Sequence, residues 1–100
     1  MHANKGTRYN YETVAASQTA QVVGVTGASG DYLHRLVITV STAATGTVTL
    51  LDNATSIVMT AANTPVGVYT VDIGATSSNG AWKVTTGAGA SVMAVGVFTQ

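Results

Sequence analysis

Tyr32-Leu33-His34-Arg35-Leu36-Val37-Ile38-Thr39-Val40 reads as a β-strand, and it sets the reading of everything around it. Four β-branched residues in a row, from Val37 to Val40, are poor helix formers and fit a pleated surface. Alternation places Leu36, Ile38 and Val40 on one face and Leu33, Arg35 and Val37 on the other. Working upstream, Thr13–Val25 is an extended stretch broken near its middle. Downstream, Thr47–Leu51 and Ser56–Thr60 flank Asp52-Asn53, a hairpin signal. Val66–Ile73 follows the only proline, Pro65, and sets Val66, Val68 and Thr70 opposite Tyr69, Val71 and Ile73. Ala81–Thr85 follows the tight-turn pair Asn79-Gly80, and Ser91–Thr99 follows Gly87-Ala88-Gly89.

Short strands at about ten-residue spacing, with turns between them, predict an all-β sandwich or barrel. We expect a jelly-roll-like β-sandwich of about seven to eight short antiparallel strands. Small residues within the strands (Ala16, Ala94, Gly96) mark places where sheets approach closely or a strand bends. One hundred residues support one core, so residues 13–100 read as a single domain. Residues 1–12 read as an extended N-terminal arm. This dozen holds Lys5 and Arg8, half of the Lys and Arg, and two of the four tyrosines, yet it has almost no aliphatic side chains. It reads either as a frayed terminus or as an arm laid against a neighbour. In the second case Arg8, Tyr9 and Tyr11 are the contacts, because Arg and Tyr anchor interfaces.

Charge narrows the partners. Charged residues make up 8% of the chain, against about 25% in an average domain, and the formal net charge is zero. Neither nucleic acid nor an anionic membrane is expected as a partner, since both call for a basic patch. A surface this neutral is either solvated by Thr, Ser, Asn and Gln or covered by other subunits. There is no cysteine, which removes disulfides and thiolate metal sites. The first dozen residues lack the apolar segment of a secretory signal, and no apolar run is long enough to span a bilayer as a helix.

Candidates for chemistry are few. The acids are Glu12, Asp31, Asp52 and Asp72, and the last three fall at or near predicted strand ends or turns, where Asp commonly serves the backbone. Two histidines, His2 and His34, without cysteine or an acid at ligand spacing, predict neither a metal nor a cofactor. No G-x-S-x-G turn activates a serine. Gly24-Val25-Thr26-Gly27-Ala28-Ser29-Gly30 lacks the lysine and the following helix of a phosphate loop and reads as a strand connection. His34 and Arg35 are expected on a partly exposed face or at a subunit contact. Trp82 shares a face with Val84 and opposes Lys83; it is a core residue, a sugar-stacking platform or an interface anchor.

Three segments carry a resemblance. Ala15–Val22 (Ala-Ala-Ser-Gln-Thr-Ala-Gln-Val), Gly30–Val37 (Gly-Asp-Tyr-Leu-His-Arg-Leu-Val) and Asn79–Gly96 (Asn-Gly-Ala-Trp-Lys-Val-Thr-Thr-Gly-Ala-Gly-Ala-Ser-Val-Met-Ala-Val-Gly) resemble small structural proteins of tailed bacteriophages. The likeness lies in phrasing across the chain and not in a motif with defined chemistry. It implies a non-enzymatic virion component, foremost a capsid decoration or cement protein that binds the major capsid protein. Such a protein is made in the bacterial host cytoplasm and ends on the capsid surface as a homodimer or homotrimer. The alternative it leaves is a tail- or fibre-associated module recognising a host-surface carbohydrate, for which Trp82 would be exposed among polar groups.

Overall fold

The structure, a computed structural model, describes residues 9–42 and 46–99. Among these residues there are eight strands: β1 (Asn10–Val14), β2 (Gln21–Val23), β3 (Tyr32–Val40), β4 (Val48–Asp52), β5 (Thr55–Thr60), β6 (Gly67–Thr76), β7 (Trp82–Thr85) and β8 (Ala90–Val97). They form two antiparallel sheets, ordered β1-β8-β3-β6 and β2-β7-β4-β5. In the pairs β1·β8, β2·β7, β3·β6 and β4·β5 the strand numbers always add to nine. The chain is therefore one long hairpin, turned at Asn53-Ala54 and rolled up until β8 also meets β3 and β7 also meets β4. That is the jelly-roll arrangement expected from the strand spacing.

Each strand forms where alternation and turn chemistry agree. Asn53 takes a left-handed backbone (φ 56°) at the β4–β5 turn, a conformation Asn tolerates better than most residues. The Asp52 carboxylate accepts backbone N–H bonds from Ser78 (3.0 Å) and Asn79 (3.1 Å), tying that turn to the β6–β7 connection. The core lies between the sheets. Val14, Leu33, Leu36, Ile38, Val40, Ala90, Val92 and Ala94 come from one sheet, and Val23, Val48, Leu50, Trp82 and Val84 from the other.

Two details depart from the sequence reading. The predicted arm ends earlier, because Asn10, Tyr11 and Glu12 already pair with Gly96, Val95 and Ala94 as part of β1. Leu33 faces the core, fully buried, instead of sharing the outer face with Arg35. Between Leu33 and Arg35 the register slips on both sides, His34 being an extra, bulged residue against β8 while β6 sets both Ile73 and Gly74 against it, and the alternation along β3 shifts by one. Glycines flank this bulge on both neighbouring strands, Gly96 on β8 and Gly74 (φ 65°) on β6. A β-carbon on Gly96 would overlap the Tyr32 carbonyl oxygen and press on Leu33 Cα and Phe98 Cζ. The bulge thus exists because β8 has no side chain there.

One side of the sandwich is well sealed. The β1–β2 connection is sewn to β7 and the loop after it: Gln18 N–H donates to Thr86 Oγ1 (2.9 Å), Thr86 N–H to the Gln18 carbonyl (2.9 Å) and Thr86 Oγ1 to the Ala15 carbonyl (2.6 Å). Asp31 performs the same service at the end of the sandwich. It is buried, and its carboxylate accepts from Thr99 N (2.9 Å) and Thr99 Oγ1 (2.7 Å). Its carbonyl accepts from Ser77 N (3.0 Å) and from the Trp82 indole Nε1 (2.9 Å).

Candidate functional site

The solvent side of the β1-β8-β3-β6 sheet brings together most of the residues singled out from the sequence. The register lines up Tyr11, Val95, Arg35 and Asp72 in one row across the four strands, and Thr13, Met93, Val37 and Thr70 in the next. Thr13, Met93 and Val37 of the second row border a shallow concavity of about 410 Å³, lined also by Thr39 and Ser91. At the corner of this face sits a cluster built on the bulge.

His34 is the centre of that cluster. Tyr9 stacks on its ring (centroids 4.6 Å apart, planes at 30°), and Tyr32 lies 5.9 Å from His34 and 6.1 Å from Tyr9, so the three rings form a triangle. Tyr32 Oη is 3.1 Å from His34 Nδ1, and an Arg35 guanidinium nitrogen is 3.2 Å from Nε2. A guanidinium has donors only, so Nε2 must be the accepting nitrogen. The ring proton then sits on Nδ1 and is donated to Tyr32 Oη. Both imidazole nitrogens are engaged within the cluster.

Arg35 completes the cluster from the next position. It points to the same side as His34 only because the bulge breaks alternation between them. Its Nε stands 3.6 Å from Asp72 Oδ1, an ion pair too long for a hydrogen bond. Both side chains are well exposed, so the pair contributes at most about 1 kcal/mol. Its value is in aiming the guanidinium along the sheet.

The Tyr32 phenol is pushed above its ordinary value, first by desolvation and then by the charge and hydrogen bonding of Tyr9. A raised phenol means that the folded state holds the neutral form more firmly than the unfolded chain does. That contribution is complete below the ordinary tyrosine range near pH 10 and is lost as pH climbs through the raised value. An ultraviolet titration of the native protein should therefore show one tyrosine ionising after the others. In Tyr9→Phe this last step should move down toward the rest. A last step that stays in place would mean that Tyr9 has no hold on Tyr32.

Of the residues predicted from sequence, Tyr9, His34 and Arg35 meet in one cluster. Tyr11 lies on the same face, 65% exposed. Arg8 lies outside the described residues. Tyr32 and Asp72 belong to the cluster and were missed. Tyr32 had a signal, since it stands two residues before His34 on one strand. Asp72 had none, because its place opposite Arg35 depends on the pairing of β3 with β6. Trp82, one candidate for a sugar platform, is a core residue, 4% exposed with its indole nitrogen bonded to the Asp31 carbonyl. Comparisons with family models, curated proteins and solved structures find no match for the chain.

Proposed function

We propose that this chain is a non-enzymatic structural protein of a phage particle: a capsid decoration or cement protein that binds the major capsid protein and itself. The observation that carries the reading is the outer face of the β1-β8-β3-β6 sheet. Tyr9, Tyr32, His34 and Arg35 gather in one cluster, with Tyr11 exposed on the same face, beside an apolar centre of Val37, Met93 and Val95 and the Arg35–Asp72 ion pair. Aromatic and Arg side chains around an apolar centre poor in charge are the composition of an interface core. A sheet face of this kind suits a lattice, where many weakly bound copies reinforce one shell. The phrasing shared with small phage structural proteins supplies the choice of partner. The carbohydrate-binding alternative is less favoured, because it leaned on an exposed Trp82 and that indole is in the core.

The test is sedimentation of the purified protein with capsid shells of the encoding phage, prepared without it. Tyr11→Ala and His34→Ala are each expected to weaken shell binding at least about tenfold, the loss of a modest interface anchor. Both positions are at least partly solvent-facing, so the fold should be retained, as circular dichroism would verify. Shells that carry none of the unmodified protein, or binding that neither substitution changes, would sink the reading.

A further inference from the structure

The side of the sandwich that ends in β5 and β6 is built unlike the sealed one. Ile57 stands opposite Leu50 and so faces between the sheets, yet it is 48% exposed while Leu50 is sealed. Tyr69, Val71 and Ile73 of β6 face inward as well and are only partly buried against the core. The two sheets gape here. On the outer surface, Val68 is 66% exposed.

From Gly67 to Val71 the edge itself is unguarded; farther along, Asp72 and the register slip at Ile73-Gly74 blunt it. β6 is ten residues long and pairs only with β3 among the described residues, so the backbone groups along its other side have no described strand beside them. Proteins usually blunt such an edge with lysine, proline, an inward charge or shortness. The opposite edges obey that rule: β2 has three residues, and β1 has five and sets Glu12 on its inward face. Along β5, the connection and β6 as far as Val71, residues 53–71 contain no charged side chain at all. The one proline, Pro65, precedes β6 and does not interrupt it.

We infer that two copies of this chain join through β6, antiparallel about a two-fold axis, so that two four-stranded sheets become one of eight. The inference rests on the self-association part of the reading above and not on the capsid. Charge decides the occupant. An uncharged edge offers nothing to a nucleic acid, a lipid headgroup or a charged peptide, whereas a second copy brings the same uncharged run. The chain's zero net charge puts no repulsion between the two. Charge also selects the register. With Tyr69 on the axis, Val68 faces Thr70 and Gly67 faces Val71, and each Asp72 faces the partner's Val66. The two Asp72 carboxylates then lie about 20 Å apart at about 3.3 Å per residue, well beyond the screening length of about 8 Å. A register centred on Asp72 would set them directly opposite each other.

Light scattering across a concentration series, together with hydrogen exchange of the same samples, tests this. The expected result is a mass twice 10.1 kDa, with β6 amides that exchange slowly when concentrated and quickly on dilution. The double variant Val68→Lys, Thr70→Lys should weaken the dimer at least tenfold. Both side chains are exposed, and if the variant fails to fold, the exchange of the unmodified protein decides alone. A monomer at every concentration overturns both the edge and self-association. A trimer overturns the edge, since isologous pairing uses it up in one contact. A dimer whose β6 exchange does not respond to dilution also overturns the edge and leaves self-association standing.

Discussion

Gly96→Ala is expected to destabilise the fold by about 3 kcal/mol or more, at the severe end for adding one methyl group. The added β-carbon would occupy the place of the Tyr32 carbonyl oxygen, a backbone atom that cannot swing away as a side-chain tip could. Relief requires that β3 move off β8 at the bulge, and β3 is the central strand that both β8 and β6 depend on. A domain of this size has about 5–15 kcal/mol in total, so a large share of the stability hangs on one missing methyl. Urea unfolding measures it. Gly27→Ala is the control: its β-carbon would meet nothing within 4 Å, although its φ of 80° is left-handed. The control should lose only about 1–2 kcal/mol, the strain of that conformation. Equal losses in the two variants would show that the contact between β3 and β8 is looser than described. The His34 cluster gives a second readout, because the bulge that shapes it is the part that must move.

Trp82→Ala is expected to lose about 3–5 kcal/mol, the range for emptying a large aromatic site in a core. Two separable effects contribute. The indole fills space between the sheets, and its Nε1 satisfies the Asp31 carbonyl, where the β2–β3 connection, the strand after it and the C-terminal segment are held together. Trp82→Phe keeps most of the first effect and removes the second, and should lose about 0.5–1.5 kcal/mol, the net worth of one hydrogen bond, because Ser77 N–H still donates to the Asp31 carbonyl. Before any substitution, fluorescence of the native protein checks the premise. A buried indole should emit in the blue and resist quenching by acrylamide. Emission like that of free tryptophan, with full quenching, would place the ring at the surface and revive it as a sugar platform.

The strands were legible where local rules decide. Tyr32–Val40 was found with its bounds intact, and Trp82 and Val84 were placed together on one face, because alternation needs only neighbours in sequence. Asn53 and Asn79-Gly80 marked turns for an equally local reason. Failure began where a partner strand decides. The bulge at His34 turned Leu33 inward, and its cause is Gly96, more than sixty residues away. Gly96 itself was marked as a point of close approach, but nothing in the sequence says which strand approaches. The same limit applied to the site. Tyr9, His34 and Arg35 were chosen by residue type, an argument that needs no fold. Asp72 could be chosen only by knowing that β6 lies beside β3.

Rolling one long hairpin into a sandwich also dictates when this molecule can exist. Among the described residues, the only pairing between consecutive strands is β4 with β5, across Asn53-Ala54. Every other strand pairing among the described residues joins segments farther apart, and both β1 and β3 pair with β8, the last of the eight strands in chain order. A chain emerging from the ribosome cannot fold from its N-terminus onward, since Asn10–Val14 and the inner edge of β3 wait for Ala90–Val97. Topologies so dominated by distant pairings fold in about milliseconds to seconds. Translation at about 5–20 residues per second is slower still. For several seconds the cell therefore holds a nearly uncharged, valine-rich chain with β3 finished and β8 missing. Synthesis is then the stage at which this sequence is most exposed to aggregation.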